Sequence, residues 1–485
     1  MDQSRAPYFE ALRGYASQPR THLHVPGHIQ GRGAHELLSG ALGPGTLQMD
    51  LCSGIGDLDG TPDSPLEDAQ ALAAAAYGAD RSWFLVNGST SGNQIMAVSV
   101  ASPGEVILTS RNTHKSIVSA FVVSGARPVY IAPELDPDRD IAHGVTPRRV
   151  ENALEEHPEA KAVLIVSPTY YGVCSDVAGI ADACHRHGVP LLVDEAWGAH
   201  FPFHPDLPTP AMALGADAAV TGTHKLVGAL TQAAMLHVRG ALMDLRRVEV
   251  VAKMLLSTSP SCLLWASLDV ARMQMATEGE LLLDQAIELA EEARILLDGH
   301  PRLSCLGKGL LGHHGVVAVD PTRLCVDVSA TGHSGYAMER ILAGSYDVVV
   351  EMADFAHVLA NVTIGHRRQD LDRFTSALLE VARAPKGPTA GPRADSDSGV
   401  LHQPEQVLSP TEAFHAPRRR VALSEAAGCL SAELAASYPP GIPVVVPGER
   451  LTEPLVTYLA AQVGAGCRIV GPEDPEVQTI SVVVE

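Results

Sequence analysis

Aromatic side chains make up only 4% of this 485-residue sequence, and positive charge is also scarce. Lysine and arginine total 35 against 56 aspartates and glutamates, a formal net charge of -21. That balance argues against nucleic acid and against an anionic membrane surface as partners, while a cationic small molecule meets no repulsion. The eight cysteines stand singly, at Cys52, Cys174, Cys184, Cys262, Cys305, Cys325, Cys429 and Cys467. No CxxC pair and no Cys/His ligand spacing occurs, so neither zinc nor a disulfide framework is indicated. No apolar run is long enough to span a bilayer. The opening "MDQSRAPYFEALRGYASQ" lacks the continuous apolar stretch of a signal peptide. A cytoplasmic protein with reduced thiols and no metal is the expectation.

Alanine, valine and leucine are plentiful, and the hydrophobic share of 46% suits parallel β/α layers better than an aromatic-rich sandwich. The length allows two or three domains. Residues 1–65, rich in Gly, Pro and His, read as an irregular arm. "PLEDAQALAAAAYGA" is helical, with Pro65 near its start and Gly78 at its end. Short strand-like runs follow: "SWFLVN", "EVILTS", "RPVYIAP", "KAVLIVSP", "PLLVDEA" and "AAVTGT". Helical stretches separate several of them. Such alternation implies an α/β fold, a parallel-rich sheet with helices on both faces and ligands beyond the carboxyl ends of its strands. This core is expected over 66–240. Residues 241–384 would complete the major domain and add a smaller α+β lobe. Residues 385–420, rich in Pro, Gly, Ser and Asp, read as a surface linker, and 421–485 as a C-terminal domain.

Four features fall at strand ends. "NGSTSGNQ", Asn87 to Gln94, offers backbone N–H groups and the Ser89, Thr90 and Ser91 hydroxyls to a phosphate at a helix N-terminus. Alone, it fits an ordinary helix cap equally well. "RNTHKS" holds His114, which by itself is more often a hydrogen-bonded structural residue than a catalytic one. Asp194 and Glu195 end an otherwise apolar strand, where a carboxylate is costly without a positive partner. Lys225 interrupts a second apolar run, and lysine is almost never fully buried unless paired. Together these residues fit one cofactor. Pyridoxal phosphate needs an amine to bind its aldehyde, an anion at its ring nitrogen and a phosphate cradle.

The motifs "LHVPGH", "RNTHKS", "SPTYYG", "VDEAWGAH", "GTHKLVGALTQAAMLHV", "STSP" and "YPPGIPVVVPGE" resemble those of the Orn/Lys/Arg decarboxylases. These are pyridoxal 5'-phosphate enzymes of fold type I (aspartate aminotransferase-like). The resemblance runs from about Leu23 to the C-terminus and is to the short form lacking an N-terminal wing domain. It implies Lys225 as the Schiff-base lysine, Asp194 as partner of the ring nitrogen, His114 stacked on the ring and Trp197 beside it. Ser89, Thr90 and His224 would hold the phosphate, with Ser91 and Thr223 in the same cradle. Ser259, in "STSP", would reach a neighbouring subunit's phosphate, so a homodimer or higher homo-oligomer with shared active sites is implied. Glu351 would meet the distal end of a basic amino acid, although a solvated strand-end glutamate is an equal reading of that residue. Many relatives carry Ser where this chain has Gly222, so a phosphate hydroxyl is missing and Thr221 or Thr223 would have to compensate.

The resemblance therefore implies decarboxylation of a basic L-amino acid with release of carbon dioxide. Arginine is favoured, with lysine and ornithine next. An aminotransferase or other lyase shares the Asp and Lys logic, and an inactive binding protein could keep the scaffold. The "THK", "RNTHKS" and "YPPG" set favours decarboxylation.

Overall fold

The structure is a computed structural model that describes residues 1–52, 64–386, 404–438 and 441–484. The six predicted runs all form strands: β1 (Arg81–Leu85), β2 (Val106–Ser110), β3 (Arg127–Ile131), β4 (Ala162–Val166), β5 (Leu191–Asp194) and β6 (Ala218–Thr221). With β7 (Ala234–Val238) they make one sheet in the order β1-β7-β6-β5-β4-β2-β3. The pairs among β2 to β6 are parallel, and β7 runs antiparallel to both of its neighbours. Sequence reasoning left β7 unassigned. Residues 222–233, which carry Lys225, turn the chain back from β6 into β7.

Strands β2 and β4 are buried along their whole length, as expected of a sheet covered on both sides. On one face Ile95, Ile117 and Phe121 of two helices pack on Leu164, Leu192 and Val220. On the other, Val150 and Ile180 pack on Ile165 and Val193. Gly92 permits this closeness, because a Cβ there would lie 2.4 Å from Val220 Cγ2.

The arm differs from its expectation. "PYFEALRGYA" forms a helix, Pro7–Ala16, with Pro at its first position. Tyr8 and Leu12, four apart on one face, are fully buried, and Tyr8 meets Trp265 edge-on at 5.6 Å. Asp269 accepts from the Tyr8 and Phe9 N–H groups, while Arg272 donates to the carbonyls of Gln3 and Arg5. The Gly, Pro and His content of the arm obscured this amphipathic turn. The motif "SGIGDLDGTPDSP" lies almost wholly outside the described residues.

A 37-residue helix, Cys262–Asp298, leads into the smaller lobe. There β8 (Ser304–Cys305), β9 (Arg323–Asp327), β10 (Met352–Ala353) and β11 (His357–Asn361) form an antiparallel sheet in the order β8-β9-β11-β10. The linker expected over 385–420 lies in large part outside the described residues. Its described end holds a helix, Pro410–His415, and opens the strand Arg418–Ala422. The C-terminal region is bolted to the major domain by a buried pair. The Arg111 guanidinium donates to both Glu449 carboxylate oxygens at 3.1 Å and to the carbonyls of Pro443 and Val444.

Candidate active site

The carboxyl ends of β1, β4, β5 and β6 and the loop after β2 surround one cavity of about 590 Å3. Of the residues singled out from the sequence, Ser89, Thr90, His114, Asp194, Trp197, His224, Lys225 and Glu351 line it. Ser91, Thr223 and Ser259 do not. Ser91 Oγ donates to Gly88 O within its own helical turn. Ser259 is exposed in the segment before the long helix.

Lys225 sits in a single helical turn, Thr223–Leu226, directly after β6. Its Nζ lies 3.9 Å from the centroid of the Trp197 indole and 5.9 Å from that of Tyr170. Burial pushes its pKa down to about 8, with Arg323 adding to the shift and Asp194 and Glu351 opposing it. The turn is pinned by its backbone: Gly222 N donates to Ala196 O, and His224 N and Nδ1 both reach Ala233 O. A Cβ on Gly222 would stand 2.7 Å from Ala196 O and 3.1 Å from Lys225 Cδ, so glycine is what the closeness of these segments requires. The hydroxyls proposed to compensate fare unequally. Thr221 Oγ1 is engaged by His237 Nε2 at 3.1 Å, whereas Thr223 Oγ1 is buried without a partner.

Asp194, the last residue of β5, is buried, and its Oδ2 accepts from Asn93 Nδ2 at 2.8 Å. Ala196 N donates to Oδ1 at 3.1 Å. Burial raises its pKa in spite of Lys225, Asn93 and that N–H, so the carboxylate is short of positive charge. Glu195 points elsewhere. Its Oε1 accepts from Ala211 N, and burial pushes its pKa up to about 8.

His114 caps the helix Lys115–Ser124, its Nδ1 accepting from Ser116 N at 3.2 Å. Burial lowers its pKa to about 3, with Lys225 and Lys115 adding to the fall, so the imidazole is neutral. Gly441 (φ +89) closes on this ring: its Cβ position lies 3.1 Å from His114 Cδ2 and Nε2. The C-terminal region thus forms part of the wall, together with Tyr438. Glu351 accepts from Asn361 Nδ2 at 3.0 Å, and burial raises its pKa against Arg323 and Lys225.

Sequence reasoning missed several wall residues. Asn93, Tyr170 and Tyr438 lay inside the quoted motifs "NGSTSGNQ", "SPTYYG" and "YPPG" without being picked out. Gln232 and Thr231 also line the cavity. Arg323, whose Cζ lies 4.1 Å from the Trp197 ring centroid, carried no local signal on its apolar strand β9.

The arrangement fits pyridoxal phosphate. Ser89 Oγ is buried with no partner at the start of a helix whose first N–H groups have no side-chain cap. Such a group suits an anion's oxygen atoms. Asp194 is a buried carboxylate whose pKa stays raised despite its donors, and Lys225 is an amine already depressed toward its neutral form. Among the described residues no cluster of His, Cys, Asp and Glu could hold a metal ion, and no helix is long and apolar enough to cross a membrane.

Residues 6–370 match the family model of the Orn/Lys/Arg decarboxylase major domain, and residues 396–474 match that of its C-terminal domain. The chain is 39% identical over 496 aligned positions to an arginine decarboxylase of Bacillus subtilis (strain 168), covering 100% of this chain and 99% of that one. It is 40% identical to an arginine decarboxylase of Halalkalibacterium halodurans, with 100% and 98% covered. The constitutive lysine decarboxylase of E. coli superposes with a TM-score of 0.85 at 21% identity, over 100% of this chain and 82% of that structure.

Proposed function

This chain belongs to the Orn/Lys/Arg decarboxylase family, enzymes that use pyridoxal phosphate to decarboxylate a basic amino acid, and from that premise we propose that its substrate is arginine and its products are agmatine and carbon dioxide. One observation carries the choice of arginine: end-to-end identity of 39–40% to two arginine decarboxylases, against 24–25% to lysine decarboxylases.

Lys225 would hold the cofactor covalently, Ser89, Thr90 and His224 its phosphate, and Asp194 its ring nitrogen, with His114 and Trp197 against the ring. Pyridoxal phosphate, when bound, supplies a conjugated ring that takes up the electron pair left at Cα as carbon dioxide departs. The chain's own groups do the rest. At neutral pH an amine with a pKa near 8 is unprotonated in roughly a tenth of molecules, far more than an ordinary lysine. Lys225 Nζ can therefore act as a nucleophile and release product. Val166, Tyr170 and Trp197 keep that part of the wall apolar, which favours loss of a charged carboxylate as a neutral gas. Glu351, with one oxygen spent on Asn361, has the other to offer a guanidinium.

A homodimer is part of the reading. Ser257, Thr258 and Ser259 are exposed, and the preceding helix exposes Val250 and Met254. These would seat a second copy, with Ser259 reaching its phosphate. Eight unpaired thiols support a cytoplasmic setting.

Carbon dioxide release from arginine, lysine and ornithine by the cofactor-loaded protein is the test. The expected result is a kcat/KM for arginine at least about tenfold above the others. Preference for lysine or ornithine would overturn the choice of arginine, and release from none of them would overturn the proposed activity.

A further inference from the structure

An unbroken line of hydrogen bonds joins Asp194 to His114 through two residues to which the proposed mechanism gives no part. Asn93 Nδ2 donates to Asp194 Oδ2 and to Ser116 Oγ, each at 2.8 Å. Ser116 Oγ in turn lies 2.7 Å from His114 Nδ1. The directions follow from the inventory of donors. Ser116 N–H also points at Nδ1, so Nδ1 is an acceptor and the ring proton sits on Nε2. Ser116 Oγ accepts from Asn93 and gives its own hydrogen to Nδ1.

The Asn93 amide is oriented by the same logic. Turned over, it would set Oδ1 against the Asp194 carboxylate. In the arrangement present, both of its N–H bonds are used and Oδ1 is left buried with no partner. A fully buried asparagine that forgoes an acceptor bond to keep two donors in place is spending stability on their direction. Its anchor is rigid, since Gly92 beside it is packed directly on Val220.

We propose that Asn93 and Ser116 are positioning residues that couple Asp194 to His114, Asn93 holding the carboxylate as an anion and Ser116 holding the imidazole as its Nε2–H tautomer. The inference rests on the reading above, in which Asp194 faces the ring nitrogen and His114 the ring. Burial raises the Asp194 pKa, and Asn93, placed by its 2.8 Å bond, is among the groups that work against that rise and favour the ionised form. Without Asn93 the carboxylate would compete for the ring proton, and the ring would lose its pull on electrons.

The test uses holoenzyme loaded with pyridoxal phosphate carrying 15N in the ring, whose resonance reports protonation of that nitrogen. Asn93→Ala should move the resonance toward the unprotonated position and lower kcat by about 10- to 100-fold with KM nearly unchanged. Ser116→Ala should cost less, and the double variant no more than Asn93→Ala alone, because the chain is already cut. An unmoved resonance in Asn93→Ala, or losses that multiply in the double variant, would overturn the coupling and leave a purely structural bond between two helices. Should Asn93→Ala fail to yield folded holoenzyme, Asn93→Ser is judged by the same readings. Asp194→Asn is measured alongside. If it moves the resonance and Asn93→Ala does not, only the coupling fails. If neither moves it, the assignment of Asp194 to the ring nitrogen falls, and the coupling with it.

Discussion

The Trp197 indole has the Lys225 ammonium nitrogen 3.9 Å from its centroid and the Arg323 guanidinium carbon 4.1 Å from it. One indole ring therefore lies against both the reactive amine and a buried cation. The π-face favours a charged amine by a modest amount. Burial and the like charge of Arg323 act the other way and prevail over Asp194 and Glu351.

A pH dependence follows, with its sign set by the lowered value. Below about pH 8 Lys225 is mostly protonated and cannot attack an aldehyde; above it the amine is free. Uptake of pyridoxal phosphate by cofactor-free protein, followed by visible absorbance, should accelerate with pH and level off above about 8. An ordinary lysine would keep accelerating toward 10.5, its unshifted value. Replacing Arg323 by Met, which keeps the stem packed against Gly172, should carry the inflection upward, since a charge that lowers the pKa has gone. Lys225→Ala should show neither the band nor turnover.

Asp194→Asn should retain part of the cofactor, because Lys225 and the phosphate cradle remain, yet lose about 100-fold or more in kcat. The cause is electronic. An amide cannot keep the ring nitrogen protonated. Cofactor content and kcat measured on the same preparation check this, and a rate within a few-fold of the parent would assign the nitrogen to another residue.

Much of this site was legible because reactive groups at strand ends violate the pattern around them. Lys225 and Asp194 each break an apolar run, and a charged group there needs a reason. Arg323 was invisible for the opposite cause: it begins an apolar strand in another lobe, 98 positions beyond Lys225, and only folding brings it under Trp197. Asn93 was hidden by its neutrality, since a polar helical residue is unremarkable until its two donors are traced. Strand β7 was hidden because "AMLHV" carries a histidine and follows "LTQA" with no glycine or proline to mark its start. Tyr8 and Leu12 were lost because arm composition outweighed a spacing of four.

Glu351→Gln tests the distal end of the substrate. Glutamine keeps an oxygen for Asn361 Nδ2, so the wall should hold its shape while the negative charge disappears. The expected cost is about 1.5–3 kcal/mol, the range for a hydrogen bond to a charged group, or roughly 10- to 150-fold in kcat/KM. The visible spectrum should not change. Equal kcat/KM in parent and variant, with arginine, lysine and ornithine each tried, would reduce Glu351 to a wall residue.

Gly222→Ser introduces the serine that the family resemblance leads one to expect, and the crowding at this position argues that here it harms. Gly222 N donates to Ala196 O at 3.1 Å, and Lys225 N donates to Gly222 O at 2.9 Å, so the backbone is held on both sides. A new Cβ would meet Ala196 O at 2.7 Å and the Lys225 stem at 3.1–3.2 Å. Its φ of -85° is open to any residue, so the penalty is one of space and not of backbone conformation. Overpacking of this kind costs about 1–3 kcal/mol, and relief requires moving either the Trp197 loop or the reactive lysine. Both Gly222→Ser and Gly222→Ala should therefore lower Tm and weaken cofactor binding to a similar degree, because the methylene and not the hydroxyl is the cause. Thermal melts and cofactor titration of the two variants decide the matter. A serine variant that binds cofactor more tightly than the parent, beside an alanine variant that binds it less, would show instead that a hydroxyl at 222 reaches the phosphate and outweighs the crowding.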